Sequence, residues 1–189
     1  MAKTYIGGKN ITITFAYMHI GAKSMLKLAE EHETGQLYTL VASLIFSAFT
    51  LEAYLNHLEK LRNKEWDEIE RRHPKLEKYK LFAQAAEIKF DFNVHPYRTL
   101  KESFSFCDRM AHGKTIEEAV STYIDTPEKR LPQIHLKADW QAFATLESAR
   151  QSIKDVEPLI KELHSMSGYP GNPFSKLGSA IYGVVQERT

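Results

Sequence analysis

The residues best suited to chemistry at neutral pH lie together in the segment 106–114, which reads Phe-Cys-Asp-Arg-Met-Ala-His-Gly-Lys. His112 can exchange a proton near pH 7. Asp108 precedes it by one helical turn, so its carboxylate can orient the imidazole and favour the charged form. Two roles are open for His112: a poised acid or base, or a cap on the last carbonyls of its helix before Gly113.

A second polar pair, Glu52 and Asn56, follows the uncharged stretch 35–51 and is also one helical turn apart. Glu52 shares a helix face with Ile45 and Phe49, so we expect its carboxylate to be partly buried and to need a donor. It is either a catalytic carboxylate or a structural link between this helix and the one that carries His112. For Asn56 we expect the structural role.

Basic side chains on and after the His112 helix can form a local patch that contacts phosphate. For any single one of them, ordinary solvated surface is the preferred explanation. The candidates are Lys101, Arg109, Lys114, Lys129 and Arg130.

Other chemistries lack their signatures. There is no glycine-rich phosphate loop and no Gly-x-Ser-x-Gly segment around a nucleophilic serine. The eight histidines never occur as His-x-x-x-His, and Glu70-Arg-Arg-His73, which has the spacing of a di-iron ligand pair, ends against Pro74. Cys107 is the single cysteine, which we expect to be a packing residue of the core. We therefore expect neither a metal nor a cofactor.

Length and composition predict one globular domain. The 189 residues are 43% hydrophobic and 26% charged, enough for one core, and the formal net charge is only +1. Any contact with nucleic acid must then be local. The first ten residues lack a signal-peptide pattern, and the stretch 35–51 is too short and too polar for a membrane span. We expect a cytoplasmic protein without a membrane segment.

Apolar spacing predicts the elements that position these residues. The fold class is all-α, a bundle of four to five long helices, with a helical core at 16–166 inside one domain, 1–189. A short hairpin is possible at 4–15, and the tail 167–189 is read as a linker followed by a small amphipathic helix. Pro158 is expected to kink or divide the last helix. The predicted helices are 16–33, 36–63, 76–90, 97–113 and 140–166, with short helical pieces near 66–72 and 116–121 and an irregular stretch between 121 and 139.

The segments 47–58 and 106–114, with their order, their spacing and the late helix that begins near Trp140, resemble the HEPN family. The resemblance covers residues 16–166. It implies an α-helical bundle that dimerises, with the two motif helices facing each other across a two-fold axis. Active members of the family are metal-independent endoribonucleases whose motif is an arginine, often a polar residue next, and a histidine four to six positions after the arginine.

The chain departs from that motif at one position. His112 matches the histidine and Asp108 the polar residue, but Cys107 stands where the arginine would be. Arg109 lies only three residues before the histidine, outside the family's spacing. An arginine holds the phosphate with a forked, permanent charge that a thiol cannot supply, and losing such stabilisation costs on the order of 10² to 10³ in rate.

Three functions remain open. The first is an RNA-associated, HEPN-like homodimer whose ribonuclease activity is weak or lost. The second is an active endoribonuclease that uses His112, with Arg109 or an arginine from the second subunit replacing the missing one. The third is a non-catalytic module that binds another protein.

Overall fold

The structure is a computed structural model, and it describes residues 4–62, 73–115, 117 and 138–186 of the 189-residue chain. Most of the described residues are helical, and the two chain ends form a small antiparallel sheet. The helices are α1 (Thr14–Glu31), α2 (Gln36–Arg62), α3 (Lys75–Ala85), α4 (Tyr97–His112), α5 (Asp139–Phe143) and α6 (Leu146–Met166), and the strands are β1 (Thr4–Thr12) and β2 (Gly178–Gln186). The prediction of an all-α bundle is confirmed.

Helix α2 is the centre of the bundle. A tight turn in which Gly35 has a φ of 76° joins it to α1, and the two helices pack as an antiparallel pair. Helices α4 and α6 also pack against α2, and α3 contacts α2 near the C-terminal end of α2. Leu44, Leu51, Tyr54 and Leu58 of α2 are almost completely buried. This burial removes apolar surface from water along most of α2, so the helix supplies much of the driving force for folding.

By length and composition alone, α2 would also be apolar enough to cross a membrane, with a mean hydropathy of 1.4 over its most apolar window. Its position accounts for that composition, because a helix packed against several others is apolar on several faces. Ser43, Ser47 and Thr50 are buried among those apolar residues. Ser43 donates to Ala22 O, and Thr50 donates to Phe46 O within its own helix.

Helix α1 is shifted by two residues from its predicted range, and two larger differences concern α3 and the last predicted helix. Helix α3 ends at Ala85, because the following residues turn sharply and Glu87 adopts a positive φ of 56°. The predicted last helix is two helices, α5 and α6, separated at Thr145, whose Oγ1 caps α6 by accepting a hydrogen bond from Ser148 N at 3.1 Å. Helix α6 runs through Pro158, which does not divide it.

The tail does not form the amphipathic helix that its apolar spacing suggested. Residues 178–186 are strand β2, which pairs with β1 over the whole length of both strands. The predicted N-terminal strand structure is present, but its partner is the C-terminal segment and the chain does not turn at Gly7-Gly8. At Gly8 a side chain would collide with the ring of Tyr182 and the carbonyl of Ile181 across the sheet, so glycine permits the close pairing.

Several predictions fall outside the described residues. These are the short helical pieces near 66–72 and 116–121, the irregular stretch that contains Pro127 and Pro132, and the two basic residues Lys129 and Arg130.

Candidate functional site

Helix α4 divides the motif residues between the core and the surface. Leu100, Phe104 and Cys107 face the core, whereas Asp108 and His112 lie on the exposed side of the last turns. Cys107 is only 6% exposed, and its burial raises the pKa of the thiol. Cys107 lies among the buried apolar side chains of the core, in keeping with the packing role predicted for it. This position therefore offers no reactive group to the surface.

A groove of about 990 Å³ lies at the C-terminal end of α4, between the start of α3 and α5. His112 lines it, together with four basic and two acidic side chains, so the formal charge of the lining is positive by two. Lys101, Arg109 and Lys114, predicted as basic candidates, all belong to this lining. The charged lining residues are Lys75, Lys101, Arg109 and Lys114 against Asp108 and Asp139.

The floor of the groove is apolar. Leu76, Phe104, Met110 and Trp140 contribute to it, and the indole of Trp140 is half-buried. Cations beside an aromatic platform match a ligand that combines negative charge with flat rings, because bases stack on aromatic faces while phosphates meet the cations.

Lys75, in the first turn of α3, is a site residue that sequence analysis missed. Its Nζ lies 3.3 Å from Asp108 Oδ1 and 3.3 Å from Glu52 Oε2. Burial alone would lower the pKa of Lys75, but the two carboxylates outweigh it and raise that pKa above its ordinary value. Both partners are distant in sequence, so no local spacing marks this lysine.

Glu52 and Asn56 both point from α2 toward α3. Glu52 is half-buried, and the donor for its carboxylate is the ammonium group of Lys75. Its link to α4 is indirect and runs through the same ammonium group to Asp108. Asn56 Oδ1 accepts a hydrogen bond of 2.9 Å from the buried Lys78. The arrangement supports a structural role for both residues.

His112 is exposed at the end of α4 and is hydrogen-bonded to no other residue that the structure describes. The expected contact with Asp108 is not formed, because Asp108 turns to Lys75 instead. Just after His112, the backbone at Gly113 lies so close to the carbonyl oxygen of Arg109 that a Cβ there would be 2.8 Å from it. Both ring nitrogens of His112 are therefore open to a ligand in the groove.

A histidine held by a carboxylate does occur, at the other end of α4. His95 Nδ1 lies 2.7 Å from Asp155 Oδ2 on α6, and Thr99 donates to the same oxygen at 2.6 Å. Gln151 donates to Asp155 Oδ1 at 2.9 Å, so the buried carboxylate receives three hydrogen bonds. His95 and Arg98 line a smaller groove of about 340 Å³. No local spacing reveals this group, because His95 and Asp155 are 60 residues apart.

Within the described ranges, no group of three or more His, Cys, Asp or Glu side chains is placed to hold a metal ion.

No protein-family model matches this sequence, and comparison with curated proteins and with solved structures gives no match either. The resemblance to the HEPN family therefore rests on the segments 47–58 and 106–114.

Proposed function

We propose that the chain is a HEPN-like, RNA-associated protein of the cytoplasm, a homodimer whose groove beside His112 binds RNA and whose ribonuclease activity is weak or lost. One observation carries the proposal. The groove brings a freely accessible imidazole, an excess of two positive charges and an aromatic platform together on one surface.

The charge of the groove and its aromatic stacking face both support RNA as the ligand. The chain as a whole carries a formal charge of +1, so an excess of two charges in one groove is a local concentration. Exposed cations such as Arg109 and Lys114 gain affinity for phosphates by releasing counterions. Trp140 beside them offers a stacking face for a base.

We expect weak activity because one cation of this site is already paired with carboxylates of the protein. Cys107 is buried and neutral where the family has its arginine, and Lys75, the cation nearest to Asp108, already pairs with two carboxylates. A bound phosphate would have to compete with these carboxylates for Lys75. His112 can still move a proton, but the transition-state charge lacks a preorganised partner.

Active endoribonuclease is the second candidate, favoured by the presence of Lys75 and Arg109 in the same groove as His112. If RNA displaces Asp108 from Lys75, two cations and an imidazole would meet one phosphate. Binding and cleavage assays separate this candidate from the first.

Binding is tested with a fluorescent single-stranded RNA in EDTA over a range of salt concentrations. The variant R109A/K114A should bind about tenfold more weakly, and the slope of log Kd against log salt should fall by about one to two, because two phosphate contacts are lost. The matched control K27A/K154A removes two exposed lysines outside the groove. RNA that is not retained at low salt would overturn the proposal and favour a protein-binding module.

Cleavage is tested with the same RNA, with H112A beside H32A, which removes an exposed histidine at the end of α1. Binding with slow or no cleavage by the wild-type protein supports the first candidate. Fast cleavage in EDTA that H112A loses and H32A keeps supports the second. Equal cleavage by the wild-type protein and H112A would assign the signal to a contaminant.

A further inference from the structure

Strands β1 and β2 form a terminal ribbon that is apolar and exposed on both faces. Its register places residues that lie opposite each other on one face, so Tyr5, Ile11 and Ile181 share one face while Ile6 and Tyr182 share the other. These five side chains are 45–77% exposed. Lys9 is the single charged residue in the two strands.

Such a ribbon is incomplete by itself. Two isolated antiparallel strands are marginally stable in water and need a further strand or a packed face. Among the residues that the structure describes, no further strand pairs with the outer edges of the ribbon, and few charges protect these edges. Exposed apolar surface of this kind marks an interaction site.

A second exposed apolar area lies on the α1–α2 pair, and we name it the α1–α2 patch: Tyr17, Ile20 and Phe49. The three side chains are 42–49% exposed. Gly21 lies against the ring of Phe46, which fixes the alignment of the two antiparallel helices. Phe49 is one turn after Phe46 in α2, and Tyr17 is one turn before Gly21 in α1. Because the helices are antiparallel, these two turns lie beside each other.

The ribbon cannot cover the patch of its own chain. Only Ile13 separates β1 from α1, and Ile13 N is bonded to Leu177 O at 2.9 Å, which fixes the base of the ribbon. A one-residue connection leaves no length for the ribbon to fold back along α1. Both surfaces remain exposed within one chain, as their exposed fractions show.

We propose that the terminal ribbon of each chain packs on the α1–α2 patch of a second copy, in a reciprocal, two-fold dimer. The same chain carries both surfaces, so one two-fold axis forms both contacts at once. A two-stranded ribbon of this length is about 30 Å by 10 Å, so one face covers about 300 Å². Two such contacts, counted on both partners, bury about 1,200 Å², the lower end of the range for stable interfaces.

This proposal places the dimer contact on the terminal ribbon and the α1–α2 patch, whereas the resemblance to the HEPN family implied motif helices that face each other, and it does not depend on RNA binding in the groove. The first test is molar mass in solution, by light scattering after size exclusion. The wild-type chain of 21.7 kDa should give twice that mass, and the variant I181S/Y182S should give the monomer. The control L81S/V94S removes two comparably exposed apolar side chains elsewhere and should remain dimeric. Circular dichroism checks that each variant keeps its helices.

The second test is cross-linking between two distinguishable chains. Cys107 is buried and is the single native cysteine, so introduced thiols are the accessible ones. A tagged I181C chain mixed with an untagged Y17C chain should form a disulfide of the combined mass upon mild oxidation, and I181C mixed with L81C should not. A monomeric wild-type protein, or a dimer that I181S/Y182S leaves intact and that shows no I181C–Y17C disulfide, would overturn the proposal.

Discussion

Cys107 is the position at which the HEPN-like motif and the packing of the bundle make different demands. The motif would place an arginine there, yet the side chain belongs to the apolar core with Phe104 and Leu100. A charged group at such a position must be desolvated, which costs several kcal/mol unless a partner compensates. The core of this chain therefore accommodates a thiol better than the clamp of an active ribonuclease.

The variant C107R should consequently restore the arginine of the motif without restoring ribonuclease activity. We expect a loss of about 1 to 3 kcal/mol in the free energy of unfolding, since the larger side chain overpacks the core and carries a charge into it. C107A, which only removes the sulfur, should lose less. Urea denaturation compares the two, and the RNA assay in EDTA follows activity. A C107R protein as stable as the wild type and faster in cleavage would show that position 107 reaches the groove.

Single residues were predictable where the signal was local. His112, Asp108 and Glu52 could be singled out because a titratable residue follows an apolar helical pattern in each segment. Lys75 and Asp155 could not, because their partners lie far from them in the sequence. The pairing of Asp108 with His112 was expected from spacing alone, and the nearby ammonium of Lys75 took the carboxylate instead.

Helix α3 packs in the core through Tyr79 and Phe82, and in its first turn Lys75 connects α2 to α4. Its ammonium lies between the carboxylates of Glu52 and Asp108, each 3.3 Å away. Without this cation the two carboxylates would face each other with no compensation. The lysine therefore contributes to the position of α3 as well as to the charge of the groove.

Replacing Lys75 tests this junction of three helices. K75M should lower the free energy of unfolding by about 0.5 to 1 kcal/mol, the range of partly exposed ion pairs, and K75R should lose less. In a double-mutant cycle, E52Q should cost less in the K75M background than in the wild type, since the pair is already broken. Denaturation with urea at low salt gives the four values. Additive effects of K75M and E52Q would mean that the two side chains do not interact.

Elements were predictable in proportion to how local their causes are. Helix α4 was predicted almost to the residue, because Pro96 favours a helix start and the apolar stripe ends with the helix at His112. Strand β2 was predicted to be a helix, because the spacing of its apolar residues fits a helix as well as a strand. Its partner strand lies at the other end of the chain, so no nearby segment indicated the pairing. The break at Thr145 was hidden by helical spacing on both sides.

At the scale of the whole molecule, three buried or half-buried histidines make stability depend on pH. Burial lowers the pKa of His19, His57 and His164, so each is neutral in the folded protein near pH 7. In the unfolded chain the same imidazoles have their ordinary pKa of about 6.5. Below that pH the unfolded chain binds more protons than the folded one, and stability falls as the pH falls.

His19 offers the sharpest test of this pH dependence. Its Nε2 lies 3.2 Å from Glu157, while its Nδ1 is buried without a hydrogen-bond partner among the described residues. The free energy of unfolding of the wild-type protein should fall between pH 7.5 and 5.5, by at most about 1.4 kcal/mol per pH unit for each histidine. Lys161 and Lys23 hold the pKa of Glu157 at about 2, so this carboxylate stays ionised throughout that window.

The variant H19Q keeps a side-chain donor for Glu157 but cannot titrate, so its pH profile should be shallower than that of the wild type. The control H32Q removes an exposed histidine at the end of α1 and should leave the slope unchanged. Urea denaturation at five or more pH values gives the slopes, which can be compared even if H19Q is less stable at every pH. Parallel profiles for H19Q and the wild type would show that His19 takes up protons equally well in the folded and unfolded chains, and burial would then not control its charge.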